Sequence, residues 1–168
     1  MEIIFVRHAV AMERRDFAKL GKEDSLRPIT IKGARRHRRM CKIMQRAVKG
    51  AEVVVTSPLM RARQTAEITS QIYGDLSIVE VPELVPTAPP AAFLKWLRVW
   101  GRVYKKIIVV GHEPHMGELV SYLVSGQVQQ NFIIKKSGFL SVLTGPAAEV
   151  EKGSGKVLYH VSPRLLFK

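Results

Sequence analysis

The fold is decided by residues 106–126, which read KIIVVGHEPHMGELVSYLVSG. The stretch starts with a β-branched run of the kind found in strands buried on both faces. The run stops at Gly111 and His112, and Pro114 then begins a helix whose apolar residues recur every three or four positions until Gly126 ends it. A buried strand, a short turn and a helix form the repeating unit of a parallel sheet covered by helices.

The same unit occurs twice earlier in the chain. The apolar run at residues 2–6 ends in Arg7 and His8, and the run at 53–55 leads into Ser57. Each run is short, rich in β-branched residues and followed by a helical pattern. Three such units predict a mainly parallel sheet with helices on both faces.

Capping residues indicate where the helices between these strands begin. We expect Thr30 as the N-cap of the first helix, and Ser57 as the N-cap of the second with Pro58 at its first helical position. A weaker strand at 77–81 and a helix over 93–100 complete the middle of the chain.

The end of the chain follows a different pattern. Residues 138–143 and 156–161 read as two strands around a glycine and serine turn, which predicts an antiparallel pair at one side of the sheet. The fold class is therefore α/β, mainly parallel with an antiparallel strand at one side. With 168 residues and no linker or repeat, residues 1–168 are interpreted as a single domain.

Composition excludes several classes of protein. Apolar residues make up 46% of the chain and charged residues 24%, which excludes disordered, collagenous and coiled-coil chains. No apolar run is long enough for a membrane span and no signal sequence is evident, so we expect a cytoplasmic protein without membrane partners. Cys41 is the single cysteine, and we interpret it as a plain thiol.

The charge balance implies an anionic partner. The chain has 27 lysines and arginines against 14 acidic residues, a net charge of +13, and 14 of the basic residues lie within positions 1–50. Such a balance is typical of nucleic-acid or membrane-surface binders and of enzymes that handle phosphorylated substrates. Four cations recur along one face of the first long helix, which we interpret as a solvated surface: Arg35, Arg39, Lys42 and Arg46.

The ends of the buried strands carry the residues that decide between these classes. Because carboxyl ends of parallel strands meet at one edge of a sheet, we expect Arg7, His8, Arg61 and His112 to converge there. Two guanidinium groups bind phosphate oxygens in a bidentate manner, and a neutral histidine is a nucleophile that can accept a phosphoryl group. With no Walker loop or cluster of aspartates, this set favours phosphoryl transfer without a metal or cofactor.

The remaining histidines allow one alternative. His8, His112 and His115 could together form a zinc site, although the His112 and His115 spacing differs from that of the zinc helix motif. His37 lies on an apolar helix stripe and is expected to be packed. His160 lies in the last strand, and we assign it no role.

Three motifs in this order resemble the histidine phosphatase superfamily, also called the phosphoglycerate mutase-like family. They are Arg7-His8-Ala9, SPLMRARQTA at 57–66 and GHEPHMG at 111–117. The short chain and the RPIT stretch at 27–30 are most similar to the small phosphohistidine phosphatases of the SixA type. The resemblance implies a three-layer α/β/α fold, His8 as the phosphorylated nucleophile, and a phosphate pocket of Arg7, Arg61 and His112.

Two departures from the family pattern bear on the mechanism. Ala9 stands where the family usually has glycine, which concerns how closely this turn approaches a phosphate. The helical insertion that carries an acidic proton donor in the mutase branch is absent. Glu83 is the candidate donor between the second and third motifs, and a surface role is the alternative.

We therefore expect a metal-independent phosphatase that hydrolyses its substrate through a phosphohistidine intermediate on His8. A site without a lid suits a phosphoryl group displayed on a protein surface, so a phosphohistidine-bearing protein is the expected substrate and partner. A small-molecule phosphomonoester is the alternative substrate. The competing class is a basic nucleic-acid-binding protein with a degenerate phosphatase site, against which the complete set of two arginines and two histidines argues.

Overall fold

A computed structural model describes residues 1–166, and its sheet has six strands within that range. The strands are β1 (Glu2–Arg7), β2 (Val53–Thr56), β3 (Ile78–Glu80), β4 (Lys106–Gly111), β5 (Phe139–Leu143) and β6 (Lys156–Val161). The helices are α1 (Arg14–Ala18), α2 (Ile31–Ala47), α3 (Met60–Ile72), α4 (Pro90–Trp100), α5 (His115–Ser125) and α6 (Pro163–Leu166). Short 3-10 turns lie at Asp24–Leu26, Pro82–Leu84, Gly101–Val103 and Ala147–Glu149.

The strand order is β3-β2-β4-β1-β5-β6. Strands β1 to β4 are parallel to one another, β5 runs antiparallel to β1, and β6 runs antiparallel to β5. The sheet is therefore mainly parallel with one reversed strand near one side, as the sequence predicts. The terminal antiparallel pair also lies where the pattern at 138–143 and 156–161 places it.

Alternate residues of the central strands face two separate apolar clusters. Ile3 and Phe5 of β1 pack with side chains from α4 and α5, whereas Ile4 and Val6 pack with α2 and α3. Strands β1, β2 and β4 are thus buried on both faces, which is why their sequences are continuous apolar runs rather than alternating ones. The three layers confirm the α/β/α architecture.

The predicted helix starts are right in one case and wrong in the other. Thr30 caps α2, and its hydroxyl oxygen accepts a hydrogen bond from the Gly33 amide at 2.9 Å. The helix after β2 begins at Met60, so Ser57 is not its N-cap and Pro58 is not its first helical residue. The Ser57 hydroxyl accepts from the Leu59 amide at 3.4 Å and also lies 2.9 Å from His112 Nε2, a contact across the sheet edge.

The topology brings three strand ends together. β4 lies between β1 and β2, and the backbone amides of His8 and Ser57 both donate to carbonyl oxygens at its end, those of Gly111 and Val110. These bonds join the turns after β1 and β2 to the end of β4. Among residues 1–166, none of the helices combines the length and the apolarity needed to span a membrane.

Candidate active site

The residues that sequence analysis places at the strand ends lie together in the structure. His8 follows β1, Arg61 lies in the first turn of α3 after β2, and His112 follows β4. The His8 and His112 rings have centroids 5.1 Å apart and are tilted by 53°. All three side chains are nearly closed to solvent, with exposed fractions of 7% for His8, 3% for Arg61 and 2% for His112.

A backbone hydrogen bond fixes the tautomer of His8. Its Nδ1 lies 2.7 Å from the carbonyl oxygen of Ala9, which can only accept, so Nδ1 carries the proton and Nε2 carries a lone pair. Burial, together with the nearby charges of Arg61, Arg7 and Lys136, lowers the pKa of His8 to about 3. The ring is therefore neutral at physiological pH and able to act as a nucleophile through Nε2.

Ala9 fits the turn after His8 without strain. Its amide donates to the Thr65 hydroxyl at 3.0 Å, and that hydroxyl donates to the Arg61 carbonyl at 2.6 Å. Asp75 and Ser137 are the non-glycine residues with positive φ in residues 1–166, so this turn does not need the freedom of glycine. The bond to Thr65 occupies the Ala9 amide and joins the turn to α3.

An ion-pair network holds Arg61 at the edge of the site. One terminal nitrogen donates to both the carbonyl oxygen of Asp24 at 3.0 Å and its carboxylate at 3.2 Å. Asp24 also pairs with Arg27 at 2.7 Å and with Arg14 at 3.5 Å. Burial lowers the pKa of Arg61 and the Asp24 charge raises it, while the hydrogen bond from Arg27 lowers the pKa of Asp24. Asp24 is therefore an ionised partner that positions Arg61.

Arg7 is hydrogen-bonded to the backbone, and its charge acts on the carboxyl group of Glu113. It donates to the carbonyl oxygen of Ile134 at 3.1 Å, while its Nε is buried and without a hydrogen-bond partner in the described residues. The two Glu113 oxygens accept from the amides of Ile134 at 2.7 Å and Gly117 at 3.3 Å. Burial raises the pKa of Glu113, and the opposing charge of Arg7 lowers it. Glu113 thus ties the segment after α5 to the first turn of that helix.

His112 presents a polar atom with nothing to bind. Its Nε2 contacts the Ser57 hydroxyl, and its Nδ1 is buried without a hydrogen-bond partner in the described chain. Burial, with a smaller contribution from the neighbouring His8 and Arg61, lowers the pKa of His112 to about 2. A buried polar nitrogen without a partner is costly, so an incoming ligand that satisfies it would gain a well-placed contact.

Glu83 lies at the same edge of the sheet but farther along it. It follows β3 in the Pro82–Leu84 turn, and β2 and β4 separate that strand from β1. Its Oε2 is buried without a hydrogen-bond partner in the described residues. Its role as proton donor stays a prediction.

The other histidines do not form a metal site in the described residues. Over residues 1–166, no group of three or more histidine, cysteine or acidic side chains is placed to hold a metal ion, which gives the zinc alternative no support. His115 is fully buried, and burial lowers its pKa. His37 is packed inside the protein as predicted, with its Nε2 3.0 Å from the Thr69 hydroxyl and 3.2 Å from the Cys41 sulfur.

The basic face of α2 is also where the sequence places it. Arg35, Arg39, Lys42 and Arg46 are exposed, whereas the opposite stripe of the helix is buried.

Asp24 and Glu113 are the site residues that sequence reasoning misses. The spacing of Asp24 three residues before Arg27, and the position of Glu113 directly after His112, were the available signals.

The arrangement concentrates positive charge and hydrogen-bond donors around a neutral nucleophile. The charges of Arg61 and Arg7 act on the His8 ring, His112 Nδ1 is buried without a partner in the described residues, and His8 Nε2 keeps a lone pair. Such a set suits transfer of a phosphoryl group to histidine, because fixed donors stabilise the charge on the transferred group.

Comparison with protein families gives a match to the "Histidine phosphatase superfamily (branch 1)" over residues 3–85. The phosphohistidine phosphatase SixA of Escherichia coli is 30% identical over 167 residues, covering 97% of this chain and 94% of the relative. An uncharacterized protein of Picosynechococcus sp. is 34% identical over 167 residues, covering 99% of both chains.

Comparison with solved structures also finds proteins similar to this chain. The structure of the protein histidine phosphatase SixA complexed with tungstate superposes with a TM-score of 0.80 and 26% identity, covering 99% of each chain. A structure of a mycobacterial glucosyl-3-phosphoglycerate phosphatase superposes with a TM-score of 0.73 at 12% identity, covering 96% of this chain and 98% of the other, and that likeness concerns the fold alone.

Proposed function

The chain belongs to the histidine phosphatase superfamily and is a phosphatase of the SixA type, and on this premise we propose that it removes phosphoryl groups from phosphohistidine on a partner protein. We propose that the reaction passes through a phosphohistidine on His8. The observation that carries the proposal is the fixed tautomer of His8, whose protonated Nδ1 is bonded to Ala9 and whose Nε2 lone pair faces a cationic pocket.

The first step is attack of His8 Nε2 on the phosphorus atom of the substrate. A new P–N bond forms to His8 while the P–N bond to the substrate imidazole breaks, and that imidazole nitrogen keeps the electron pair. Arg7, Arg61 and His112 hold the phosphoryl oxygens and stabilise their charge through the transfer. The tungstate in the SixA structure is an oxyanion of comparable shape, which supports an anion pocket in this family.

In the second step a water molecule attacks the same phosphorus from the vacated side. The P–N bond to His8 breaks, its electron pair returns to Nε2, the water loses a proton to the medium and inorganic phosphate leaves. The low pKa of His8 favours this release, because the ring returns to the neutral state that its surroundings already stabilise.

The carboxyl groups around the pocket favour a nitrogen leaving group. Asp24 is ionised and bound by three arginines, and both oxygens of Glu113 accept backbone amides. Neither is free to donate a proton to a departing alkoxide, which needs such help. A phosphoimidazole leaves as a readily protonated nitrogen and does not depend on a strong general acid.

The test is a comparison of kcat/KM for a phosphohistidine peptide, an aryl phosphate and an alkyl phosphate. General acids typically contribute a factor on the order of a hundred to ten thousand, so the alkyl ester should be at least about a hundredfold slower than the other two. A result in which the alkyl phosphate is the best substrate would replace the phosphohistidine proposal with a small-molecule phosphatase.

A further inference from the structure

A groove lined by five cations lies beside the phosphate pocket. It encloses a cavity of about 230 Å³, and we call it the basic groove, defined by Arg7, Val10, Arg36, Lys135, Lys136 and Arg164. These residues come from the end of β1, from α2, from the segment before β5 and from α6. No carboxylate is among the lining residues, so the positive charge of the groove is not balanced from within.

The groove contains donors that the described residues leave unsatisfied. The Nε atoms of Arg7 and Arg36 are buried and have no hydrogen-bond partner in residues 1–166. Lys135, Lys136 and Arg164 form no salt bridge within the same range of residues. Unsatisfied buried donors destabilise a protein, and here they indicate an acceptor supplied by another molecule.

The groove is continuous with the site of phosphoryl transfer. Arg7 belongs to both, since it lines the groove and precedes His8 directly. The charge of Lys136, another lining residue, acts on the His8 ring. A substrate whose phosphoryl group lies at His8 would therefore have its neighbouring groups at the groove.

Size and charge indicate what those groups are. A cavity of about 230 Å³ lies below the range of roughly 300 to 1,000 Å³ that holds a small-molecule ligand, so the groove suits an extension of a larger substrate. Positive charge also continues beyond it, because Arg35, Lys42 and Arg46 are exposed on the same helix as Arg36. A positively charged surface of that extent suits the acidic surface of a partner protein better than a second phosphate group on a metabolite.

We propose that the basic groove binds aspartate and glutamate side chains that flank the phosphohistidine of the substrate protein. This inference rests on the proposed function, because it places the partner's acidic residues next to the phosphoryl group that His8 attacks. Arginine forks bind carboxylates in a bidentate manner, and lysines add charge that speeds encounter.

The first measurement is kcat/KM for two phosphohistidine peptides of the same sequence, one with four acidic residues around the histidine and one with their amide counterparts. We expect about a tenfold preference for the acidic peptide at low salt and a preference below threefold at about 0.5 M salt. Equal rates on the two peptides at low salt would overturn the proposal.

The second measurement uses variants with a matched loss of charge. The triple variant Arg36→Gln, Lys135→Gln, Arg164→Gln should lose the preference. The control triple variant Lys49→Gln, Lys105→Gln, Lys152→Gln removes three exposed lysines at the opposite edge of the sheet and should keep the preference. Both should hydrolyse an aryl phosphate within twofold of wild type, which shows that they are folded. If both triple variants lose the preference for the acidic peptide equally, the overall positive charge of the protein causes the preference. That result would overturn the proposal.

A third measurement, of peptide binding without hydrolysis, tests the basic groove independently of the proposed function. The acidic peptide without its phosphoryl group, carrying a fluorescent label, should bind wild type and the control triple about tenfold more tightly than the groove triple. That result supports the groove even if no phosphohistidine peptide is hydrolysed, an outcome that would remove only the proposed substrate. If an oligonucleotide of equal charge binds at least tenfold more tightly than the peptide and loses binding in the groove triple, the groove is a nucleic-acid site and the proposal fails.

Discussion

Two buried histidines, His8 and His37, have similar ionisation and different surroundings. Burial lowers the pKa of His8 to about 3 and that of His37 to about 4, so both rings are neutral in the folded protein. His37 lies within α2, where its Nε2 contacts the hydroxyl of Thr69 and the sulfur of Cys41. His8 follows β1, where its Nε2 has no hydrogen bond to another described residue and the charges of three cations act on the ring: Arg61, Arg7 and Lys136.

The difference shows that a lowered pKa does not by itself mark a functional histidine. Desolvation alone produces it at any buried position. What distinguishes His8 is a reactive nitrogen left without a bond, together with Arg7 and Arg61 close enough to act on its charge. The Cys41 thiol beside His37 supports the same conclusion, because burial raises its pKa to about 12 and leaves it without thiolate character.

The largest expected effect is the loss of activity when His8 is replaced, with the replacement of His37 as the comparison. His8→Ala should lower kcat/KM at least a hundredfold, because the covalent route is lost and only binding and electrostatics remain. His37→Leu should leave kcat/KM within about twofold, since Thr69 keeps its hydrogen bond to the Thr65 carbonyl. Steady-state kinetics on an aryl phosphate measures both.

A labelling experiment decides whether the loss at His8 is chemical. Brief reaction with a labelled phosphate donor should leave acid-labile, alkali-stable label on wild type and on His37→Leu, and none on His8→Ala. Full activity in His8→Ala would refute the covalent mechanism, and label retained on that variant would place the phosphoryl group elsewhere.

The next effect tests whether the cations around His8 make it different from His37. Arg61→Ala should lower kcat/KM by about a hundredfold and weaken inhibition by phosphate, because a buried donor to the transferred group is removed. Arg61→Lys should recover only part of the loss, since an ammonium cannot form the two-pronged contact. Inhibition constants for phosphate and kcat/KM give the readout.

Arg63 is a matched control for Arg61. It lies two residues farther along α3, is about half exposed and pairs with Glu80 at 2.7 Å. Arg63→Ala should stay within twofold of wild type. A comparable loss in both variants would mean that the net charge of α3, rather than the position of Arg61, controls the reaction.

The sequence predicts the parts of this site that follow from local patterns, and it does not predict the contacts between distant residues. The strands β1, β2 and β4 and the convergence of His8, Arg61 and His112 follow from patterns within short stretches and from the rules of parallel sheets. The cap assigned to Ser57 is wrong because α3 begins at Met60, and the short pattern does not show that the Ser57 hydroxyl also meets His112, a residue 55 positions away. Long-range pairs of this kind depend on the packed fold.

The network around Asp24 was missed for the same reason. Asp24 contacts Arg61 across 37 positions, and nothing in the local pattern of a charged loop indicates which arginine it meets. The tautomer of His8, in contrast, depends on the carbonyl of the adjacent residue but needs the folded turn to become visible. The sequence therefore predicts which residues converge, and the structure adds how each one is held.

The pH dependence of stability should separate His37 from the active site. The unfolded chain gains a proton at His37 below a pKa of about 6.5, whereas the folded chain gains it only near pH 4, so protonation favours unfolding in that window. The stability contributed by the neutral ring is present above pH 6.5 and decreases as the pH falls toward 4. By pH 5 this site alone should cost on the order of 2 kcal/mol.

Urea unfolding of wild type and His37→Leu at pH 7 and pH 5 measures this contribution. The decrease in stability between the two pH values should be smaller in the variant by about that amount. His8 and His112 should still add acid sensitivity in both proteins, because burial also lowers their pKa values. An unchanged pH dependence in His37→Leu would show that the pKa of His37 is the same in the folded and unfolded states, as for a solvated ring.

The smallest expected effect concerns Glu83, where the comparison extends from histidines to carboxyl groups. Glu83 has a buried oxygen without a hydrogen-bond partner in the described residues, whereas the nearby Glu80 carboxylate is bound by Arg63. If Glu83 donates a proton to a leaving group, Glu83→Gln should slow an alkyl phosphate by about tenfold and a phosphoramidate by less than twofold, because the departing nitrogen needs little help. Glu80→Gln is the control and should change neither rate. If Glu83→Gln slows both substrates by the same factor, or neither, Glu83 is not the proton donor and has a purely structural role at this edge of the sheet.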